Sequence, residues 1–217
     1  MLGSADAFRA LLAPEERARA ERFHQPIDAS RFAVCRGILR RALGSYSNAE
    51  PSAIVLAYGA HGKPALSPTT TGDAVHFNVA HDGGIALMAF TRAAEIGIDI
   101  ERVQTFPDLD SLMRASFSKP EREHVGAIAN AEARTRAFFR CWTRKEAILK
   151  ALGWGLAREL DSFDVTIGED DTRLVRMEGD QDIDAWRLVH LEPRHGFVGA
   201  AAWKGSSLDS ECFTYEA

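Results

Sequence analysis

The sequence predicts an α+β protein of two pseudo-symmetric α+β halves packed together, because helical patterns precede strand patterns twice along the chain. The first series occupies residues 1–104 and the second occupies residues 105–217. The stretch VHLEPRHGFVGAAAW in the second series also echoes FNVAHDGGIALMAF in the first, as strand, turn and strand. Pro107 and Asp108 lie between the two series, so we expect the halves to meet near them.

The first half begins with two predicted helices. Pro14-Glu15-Glu16 places a proline and two acids where a helix leaves free amides, which predicts a first helical turn. The second helix is expected to start at Asp28 as its N-cap and to stop at Gly44. His81-Asp82-Gly83-Gly84 predicts a hairpin turn between two strands. The expected strands are Ile54–Tyr58, Val75–Ala80, Ile85–Thr91 and Ile96–Ile100.

The second half repeats this order of helices and strands. Ser118-Lys119-Pro120-Glu121 has the pattern of a capping box that opens a helix. A long helix is expected from about Asn130 to Leu152, where Gly153 ends it. The expected strands are Phe163–Ile167, Trp186–Leu191 and Phe197–Trp203.

The composition excludes several classes of protein. The 217 residues are 46% hydrophobic and 26% charged, as in a soluble protein with a core. The net charge of -5 argues against nonspecific nucleic-acid binding. The three cysteines have no CxxC spacing, which suits a reducing cytosol. The first 23 residues are too charged for a signal peptide, and the apolar run Ile85–Phe90 is too short to span a membrane. We expect a cytoplasmic protein that binds neither nucleic acid nor membranes.

The segment Gly97-Ile98-Asp99-Ile100-Glu101 places two acids two residues apart on an expected strand. Residues at this spacing share one face, so Asp99 and Glu101 present two carboxylates together while Ile98 and Ile100 point into the core. Such a pair suits a magnesium ion, which prefers oxygen ligands and often bridges phosphates. The alternative is a solvated strand face with ordinary acids.

The long helix carries Trp142, Glu146 and Lys150 at intervals of four, so they share one helical face. A Glu and a Lys at this spacing are usually a surface pair that stabilises the helix. The neighbouring tryptophan favours a partly buried face instead. A carboxylate and an ammonium on such a face are what a metal-bound diphosphate needs.

Three other features each have an ordinary structural explanation. His81 alone is typical of a turn, and Gly62-Lys63-Pro64 alone is a loop with a fixed bend. Glu121 is explained as the third helical residue of the capping box at Ser118.

Taken in order, the segments FNVAHDGG, GIDIE, FSKPE and WTRKEAILKALGWGL resemble the Sfp-type 4′-phosphopantetheinyl transferases. The matches lie within residues 62–164, nearly half of the chain. GIDIE alone is a weak pattern. GIDIE followed about forty residues later by W-x-x-K-E-A-x-x-K-x-x-G-x-G-L is specific.

The resemblance implies an enzyme that moves the phosphopantetheine arm of coenzyme A to a serine of an acyl or peptidyl carrier protein and releases 3′,5′-ADP. It implies that Asp99, Glu101 and Glu146 bind Mg²⁺ and that Lys150 contacts the coenzyme A diphosphate. Glu146 and Glu121 are both candidates for the general base, and this alternative stays open. The matched residues come from both halves, so the site is expected in the cleft between them.

The resemblance also implies a set of nucleotide contacts. His81, Arg19 and Arg31 are expected near the 3′-phosphate, and Lys63 with Pro64 is expected to line the nucleotide pocket. Two residues beside the histidine depart from the family pattern. Ala80 replaces the usual serine, and Asp82 adds an acid beside an expected phosphate site.

The expected partners are coenzyme A and a carrier protein of fatty-acid, polyketide or nonribosomal-peptide biosynthesis, and the expected state is a monomer. A basic stretch of the long helix is a candidate docking surface for an acidic carrier, or else a solvated helix with scattered charge; it comprises Arg134, Arg136, Arg140, Arg144 and Lys145. Two rival classes remain, a coenzyme A-binding or carrier-binding protein without catalysis and an unrelated magnesium phosphohydrolase.

Overall fold

The computed structural model describes residues 5–70, 74–155 and 159–215. Helices and short antiparallel strands both occur, so the predicted α+β class is confirmed. The helices are α1 (Ala5–Arg9), α2 (Pro14–Glu21), α3 (Pro26–Ser47), α4 (Leu109–Ser116), α5 (Lys119–Gly126) and α6 (Ala131–Leu152). The strands are β1 (Leu56–Tyr58), β2 (Pro64–Leu66), β3 (His76–Asp82), β4 (Ile85–Thr91), β5 (Ile96–Arg102), β6 (Phe163–Val165), β7 (Leu174–Met177), β8 (Trp186–Leu191) and β9 (Phe197–Lys204).

The chain forms two compact units, each with its own internal contacts. Unit 1 contains the described parts of residues 1–57, 64–75 and 208–217, and unit 2 contains those of 58–63 and 76–207. The division into halves at 1–104 and 105–217 stays a prediction. Among the described helices, none combines the length and apolar character that crossing a bilayer requires.

Unit 1 is organised around α3, which starts and ends elsewhere than the sequence predicted. Pro26 occupies the first turn, so Asp28 is not the N-cap and instead lies 3.5 Å from Arg31. The helix continues past Gly44, and the glycine is explained by close packing instead, since a Cβ there would lie 2.6 Å from the Ala49 carbonyl oxygen. Asn48, in the left-handed conformation, ends the helix one turn later.

Unit 2 holds the β3–β4 hairpin, a three-stranded antiparallel sheet with the order β5-β9-β8, and the β6–β7 pair. Gly83 and Gly84, both with positive φ, form the β3–β4 turn. His81 and Asp82 therefore belong to β3 rather than to the turn. The two sequence stretches that echo each other are both strand, turn and strand, as predicted.

Helices α5 and α6 follow the predicted capping signals. The Ser118 side chain accepts from the Glu121 amide, and the Glu121 carboxylate accepts from the Ser118 amide, which completes the capping box. Asn130 caps α6, and Gly153 ends it with φ at 68°. The main core packs α6 against β6–β9, while Ile98 and Ile100 pack in a second cluster with Ala80.

Candidate active site

The site is positioned by the close approach of β5 to α6. A Cβ on Gly97 would lie 1.9 Å from the Ala147 carbonyl oxygen and 2.3 Å from the Ala151 nitrogen. Only a glycine fits there, because the strand lies directly on the helix backbone. The residues that share the Gly97 face of the strand, Asp99 and Glu101, are thereby brought to α6.

Asp99 is buried and ion-paired, yet one of its oxygens lacks a partner. Its side chain is 7% exposed, and its Oδ1 lies 2.6 Å from Lys150 Nζ. Its Oδ2 is buried without a hydrogen-bond donor. Burial raises the pKa of Asp99, and the Lys150 ammonium partly offsets that rise. A buried carboxylate oxygen without a donor is unfavourable and indicates a place for a cation.

Glu101 and Glu146 are half-buried acids near Asp99. Burial, together with the charges of Asp99 and Asp82, raises the pKa of Glu101 to about 7. Burial and the Asp99 charge also raise the pKa of Glu146. The Trp142 indole donates to Glu101, so Trp142, Glu146 and Lys150 do share the α6 face that meets β5. The structure thus brings four predicted site residues together, namely Asp99, Glu101, Glu146 and Lys150.

This donor set fits a hard divalent cation in its chemistry. The Asp99 charge raises the pKa of both Glu101 and Glu146, and a bound cation would relieve that repulsion. Within residues 5–70, 74–155 and 159–215, however, no three His, Cys, Asp or Glu side chains are already arranged to hold a metal ion.

A pocket of about 260 Å³ lies beside these residues in unit 2. Its walls come from the loop before β2, from β3 and from the C-terminal end of α6. They are formed by His61, Gly62, Lys63, Asn78, Glu146, Leu149, Lys150, Gly153 and Gly155. Two predicted site residues on α6, Glu146 and Lys150, and the predicted nucleotide contact Lys63 therefore share one pocket.

The residues around His81 divide between the two faces of β3. His81 is exposed, whereas Ala80 is buried against Ile98. Asp82 Oδ2 accepts from the Arg102 amide at 2.7 Å, so Asp82 faces β5 with Ala80. Asp82, which the sequence placed beside an expected phosphate site, lies near Glu101 instead, and its negative charge raises the pKa of Glu101.

Glu121 lies in a different, fully buried environment. It is 3% exposed, and its Oε2 accepts from the Ser118 amide and lies 2.8 Å from Lys145 Nζ. Its Oε1 accepts from the Val165 amide at 2.9 Å. Both oxygens are therefore already occupied.

The remaining predicted nucleotide contacts lie in unit 1. Arg19 is exposed and sits 5.2 Å from the centre of the Phe32 ring, and Arg31 is exposed near Asp28. Pro64 begins β2 and is half-buried. Their contact with a nucleotide stays a prediction.

The basic docking surface predicted on α6 is wrong for three of its five members. Arg140, Arg144 and Lys145 are 8%, 0% and 0% exposed. Arg144 donates to three backbone carbonyls of residues 166–171, and Lys145 donates to Leu160 and Phe163. These three side chains donate to groups inside the protein, so they are not accessible to a docking partner.

The sequence interpretation gave no site role to Asn78 or His61, and it placed Asp82 beside a phosphate rather than beside Glu101. Asn78 is 5% exposed, accepts from the Ile98 amide at 2.9 Å and lines the pocket. An asparagine inside a strand-like run is a signal for a side-chain bond to a neighbouring strand, because a buried amide needs partners. For His61 no local pattern points to the position.

Comparison with known proteins agrees with this geometry. A family model described as the 4′-phosphopantetheinyl transferase superfamily matches residues 95–202, and one described as 4′-phosphopantetheinyl transferase, N-terminal, matches residues 4–93. The chain is 36% identical over 206 residues to the 4′-phosphopantetheinyl transferase HetI of Nostoc sp., covering 95% of this chain and 84% of the relative. It is 28% identical over 211 residues to the 4′-phosphopantetheinyl transferase Sfp of Bacillus subtilis, covering 97% and 91%.

A third relative comes from a mammal. Over 220 residues the chain is 26% identical to the L-aminoadipate-semialdehyde dehydrogenase-phosphopantetheinyl transferase of Rattus norvegicus, covering 94% of this chain and 71% of the relative. These similarities agree with the site, where the acids of β5 lie near the acid of α6. They show that the chain belongs to the 4′-phosphopantetheinyl transferase superfamily.

Proposed function

We propose that this protein is a magnesium-dependent transferase that moves the 4′-phosphopantetheine arm of coenzyme A onto a serine of an acyl or peptidyl carrier protein. The observation that carries the proposal is the meeting of Asp99 and Glu101 on β5 with the Glu146–Lys150 pair on α6, beside a pocket. A solvated strand face would not bury Asp99 and leave one of its oxygens without a donor.

Lys150 is proposed to bind the diphosphate of coenzyme A. Its side chain is 30% exposed and lines the pocket, and the bond to Asp99 uses one of the three donors of its ammonium. The remaining donors are suited to the oxygens of a phosphate.

The proposed magnesium ligands are Asp99, Glu101 and Glu146. When bound there, Mg²⁺ would neutralise negative charge on the diphosphate. The support for this site is the unpaired Asp99 Oδ2 and the raised pKa of all three acids.

In the proposed reaction the carrier serine oxygen bonds to the coenzyme A phosphorus that bears the pantetheine. The bond from that phosphorus to the bridging oxygen breaks, and 3′,5′-ADP leaves with the oxygen. The serine proton passes to a carboxylate, directly or through water. Positioning and electrostatics supply most of the rate, since the protein makes no covalent bond itself.

Glu146 is the better-placed general base of the two candidates. It lines the pocket, and within the part of the chain that the structure describes no other contact has to break before its carboxylate can meet a ligand there. Glu121 would have to give up its capping bond or its ion pair with Lys145 before it could accept a proton.

We further propose His81, Arg19, Arg31, Lys63 and Pro64 as the surroundings of the coenzyme A nucleotide. A monomeric state and a cytoplasmic location are also part of the proposal. The location is supported by the free thiols of Cys35, Cys141 and Cys212, which suit a reducing compartment.

The experiment that tests this function is incubation with coenzyme A, Mg²⁺ and several apo carrier proteins, followed by intact mass measurement. A phosphopantetheine mass gain on a carrier serine, absent when the metal is chelated, is expected. Hydrolysis of coenzyme A without a mass gain would instead identify a phosphohydrolase. Binding of coenzyme A without either reaction would identify a noncatalytic binding protein.

A further inference from the structure

The loop between β1 and β2 forms one wall of the pocket. We call residues 59–63 the pocket tip. The Gly59 amide donates to the Lys63 carbonyl and the Gly62 amide to the Gly59 carbonyl, both at 2.9 Å, and Gly62 has φ at 80°. This tight turn places His61, Gly62 and Lys63 along the pocket.

The Lys63 ammonium is held by three acceptors at once. Nζ lies 2.7 Å from Glu95 Oε2, 3.1 Å from the Ile96 carbonyl and 3.3 Å from the Ala151 carbonyl. An ammonium has three donors, so all of them are used. The side chain is only 16% exposed. Lys63 is therefore engaged with the protein itself rather than free to receive a phosphate.

Two of these acceptors fix the pocket tip to the elements that carry the proposed chemistry. Ala151 lies in the last turn of α6, where carbonyls lack a partner within the helix, and a positive charge there is favourable. Ile96 is the first residue of β5. The tip also packs on the chain just after α6, because a Cβ on Gly155 would lie 3.2 Å from the Cβ of His61.

Glu95 joins Lys63 to the start of β3. Its Oε1 lies 2.8 Å from His76 Nδ1, while Oε2 takes Lys63. Although partial burial opposes it, hydrogen bonds and charge from Lys63 and His76 hold the pKa of Glu95 below its usual range. The carboxylate is therefore charged at neutral pH and bridges both groups.

We infer that Glu95 is a positioning residue for the donor pocket, which holds Lys63 on β5 and α6 and thereby keeps the pocket tip in place. This inference rests on the proposed function, since it takes the pocket as the binding site of coenzyme A. It assigns Lys63 a role in shaping that pocket rather than in contacting a phosphate directly. The two roles predict opposite effects when Glu95 loses its charge.

The test compares the wild type with Glu95→Gln in the full-length protein. Hydrogen exchange of the peptide that covers residues 59–66 should become faster. KM for coenzyme A should rise by about two- to fivefold, as for a partly exposed ion pair, while kcat stays within error. The matched control is Glu169→Gln, because Glu169 is 64% exposed and lies 2.7 Å from Arg140, close to the 60% and 2.7 Å of Glu95 with Lys63.

A double variant tests whether Glu95 acts through Lys63, and the direction of the KM change in Glu95→Gln alone separates the positioning role from the direct role. Lys63→Gln should raise KM by itself, and adding Glu95→Gln should raise it little further, because both changes break the same contact. A lower KM in Glu95→Gln would overturn the inference, since it would mean that Glu95 masks a phosphate-binding ammonium. The inference would also be overturned if Glu95→Gln, like Glu169→Gln, changed neither the hydrogen exchange of residues 59–66 nor KM for coenzyme A. If the wild type transfers nothing but exchange rises in Glu95→Gln, the positioning holds and the proposed function fails.

Discussion

At the scale of single residues, Glu121 and Glu146 show how similar acids acquire different roles. Glu121 accepts from two backbone amides and pairs with a lysine that is itself 0% exposed. Glu146 lies at the pocket, where burial and Asp99 raise its pKa. The first carboxylate stabilises a junction of α5, α6 and β6, and the second is available to a ligand.

We expect Glu121→Gln to destabilise the protein more than it slows catalysis. The change leaves the buried Lys145 ammonium without its counter-charge, which typically costs roughly 3–5 kcal/mol. The free energy of unfolding measures this loss, and kcat is measured at a temperature where both proteins are folded. Glu123→Gln, an exposed position on the same helix, is the control. A large fall in kcat with normal stability would make Glu121 the base after all.

The proposed phosphate contact of His81 gives a second residue-scale prediction. His81→Ala should raise KM for coenzyme A by about ten- to a hundredfold, the worth of a hydrogen bond to a charged group, with little change in kcat. It should hardly alter the use of dephospho-coenzyme A, which lacks the 3′-phosphate. Steady-state kinetics with both donors checks this. Equal losses with the two donors would show that His81 does not contact that phosphate.

The residues predicted from sequence came from short patterns with a fixed geometry. Alternation along a strand correctly paired Asp99 with Glu101, and the interval of four along a helix correctly paired Glu146 with Lys150. The expectation that the two pairs meet came from the family resemblance. Burial was harder to predict. Arg144 looked like part of a solvated basic face, and only the loop of residues 166–171 that wraps around it explains why it is buried.

At the scale of elements, the contact between β5 and α6 depends on a single glycine. We expect Gly97→Ala to lower the free energy of unfolding by roughly 4 kcal/mol or more, because the added methyl would overlap the α6 backbone. Chemical denaturation measures the effect. Gly126→Ala is the control, since nothing lies within 4 Å of a Cβ there. Equal stability of the two variants would contradict the close packing described here.

Elements with strong end signals were predictable, and those defined by tertiary contacts were not. Helix α6 lies between Asn130 and Gly153 as the caps indicate. Gly44 was interpreted as a helix end, whereas α3 runs past it and the glycine is required by the nearby Ala49 carbonyl. Helix α4 was missed although the Asp108 side chain caps it, because Pro107 and Asp108 were interpreted as the boundary between the halves. Strand β7 has only four residues, too few for a clear alternation.

At the scale of the whole molecule, the acids of unit 2 couple stability to pH. Glu101 has a pKa raised to about 7 in the folded state, above its ordinary value. Its protonation therefore stabilises the fold at low pH, and this contribution is lost as pH rises through about 7. The raised pKa values of Asp99 and Glu146 act in the same direction.

We expect the metal-free protein to lose thermal stability between about pH 5 and about pH 8 partly through Glu101. Glu101→Gln, which cannot ionise, should flatten this part of the profile. Added Mg²⁺ should raise the wild-type midpoint more at the upper end than at the lower end, because cation binding requires the ionised acids. Thermal unfolding with and without chelator measures both effects. Identical pH profiles for the two proteins would contradict the shift.

We propose that Asp99 belongs to a cation site that serves transfer rather than folding. The most direct test is the rate of phosphopantetheine transfer by Asp99→Ala in saturating Mg²⁺ and coenzyme A, with the thermal midpoint measured beside it. We expect transfer to fall by orders of magnitude while the midpoint hardly falls, or rises, because repulsion among buried carboxylates is relieved. Near-wild-type turnover of Asp99→Ala would contradict the account.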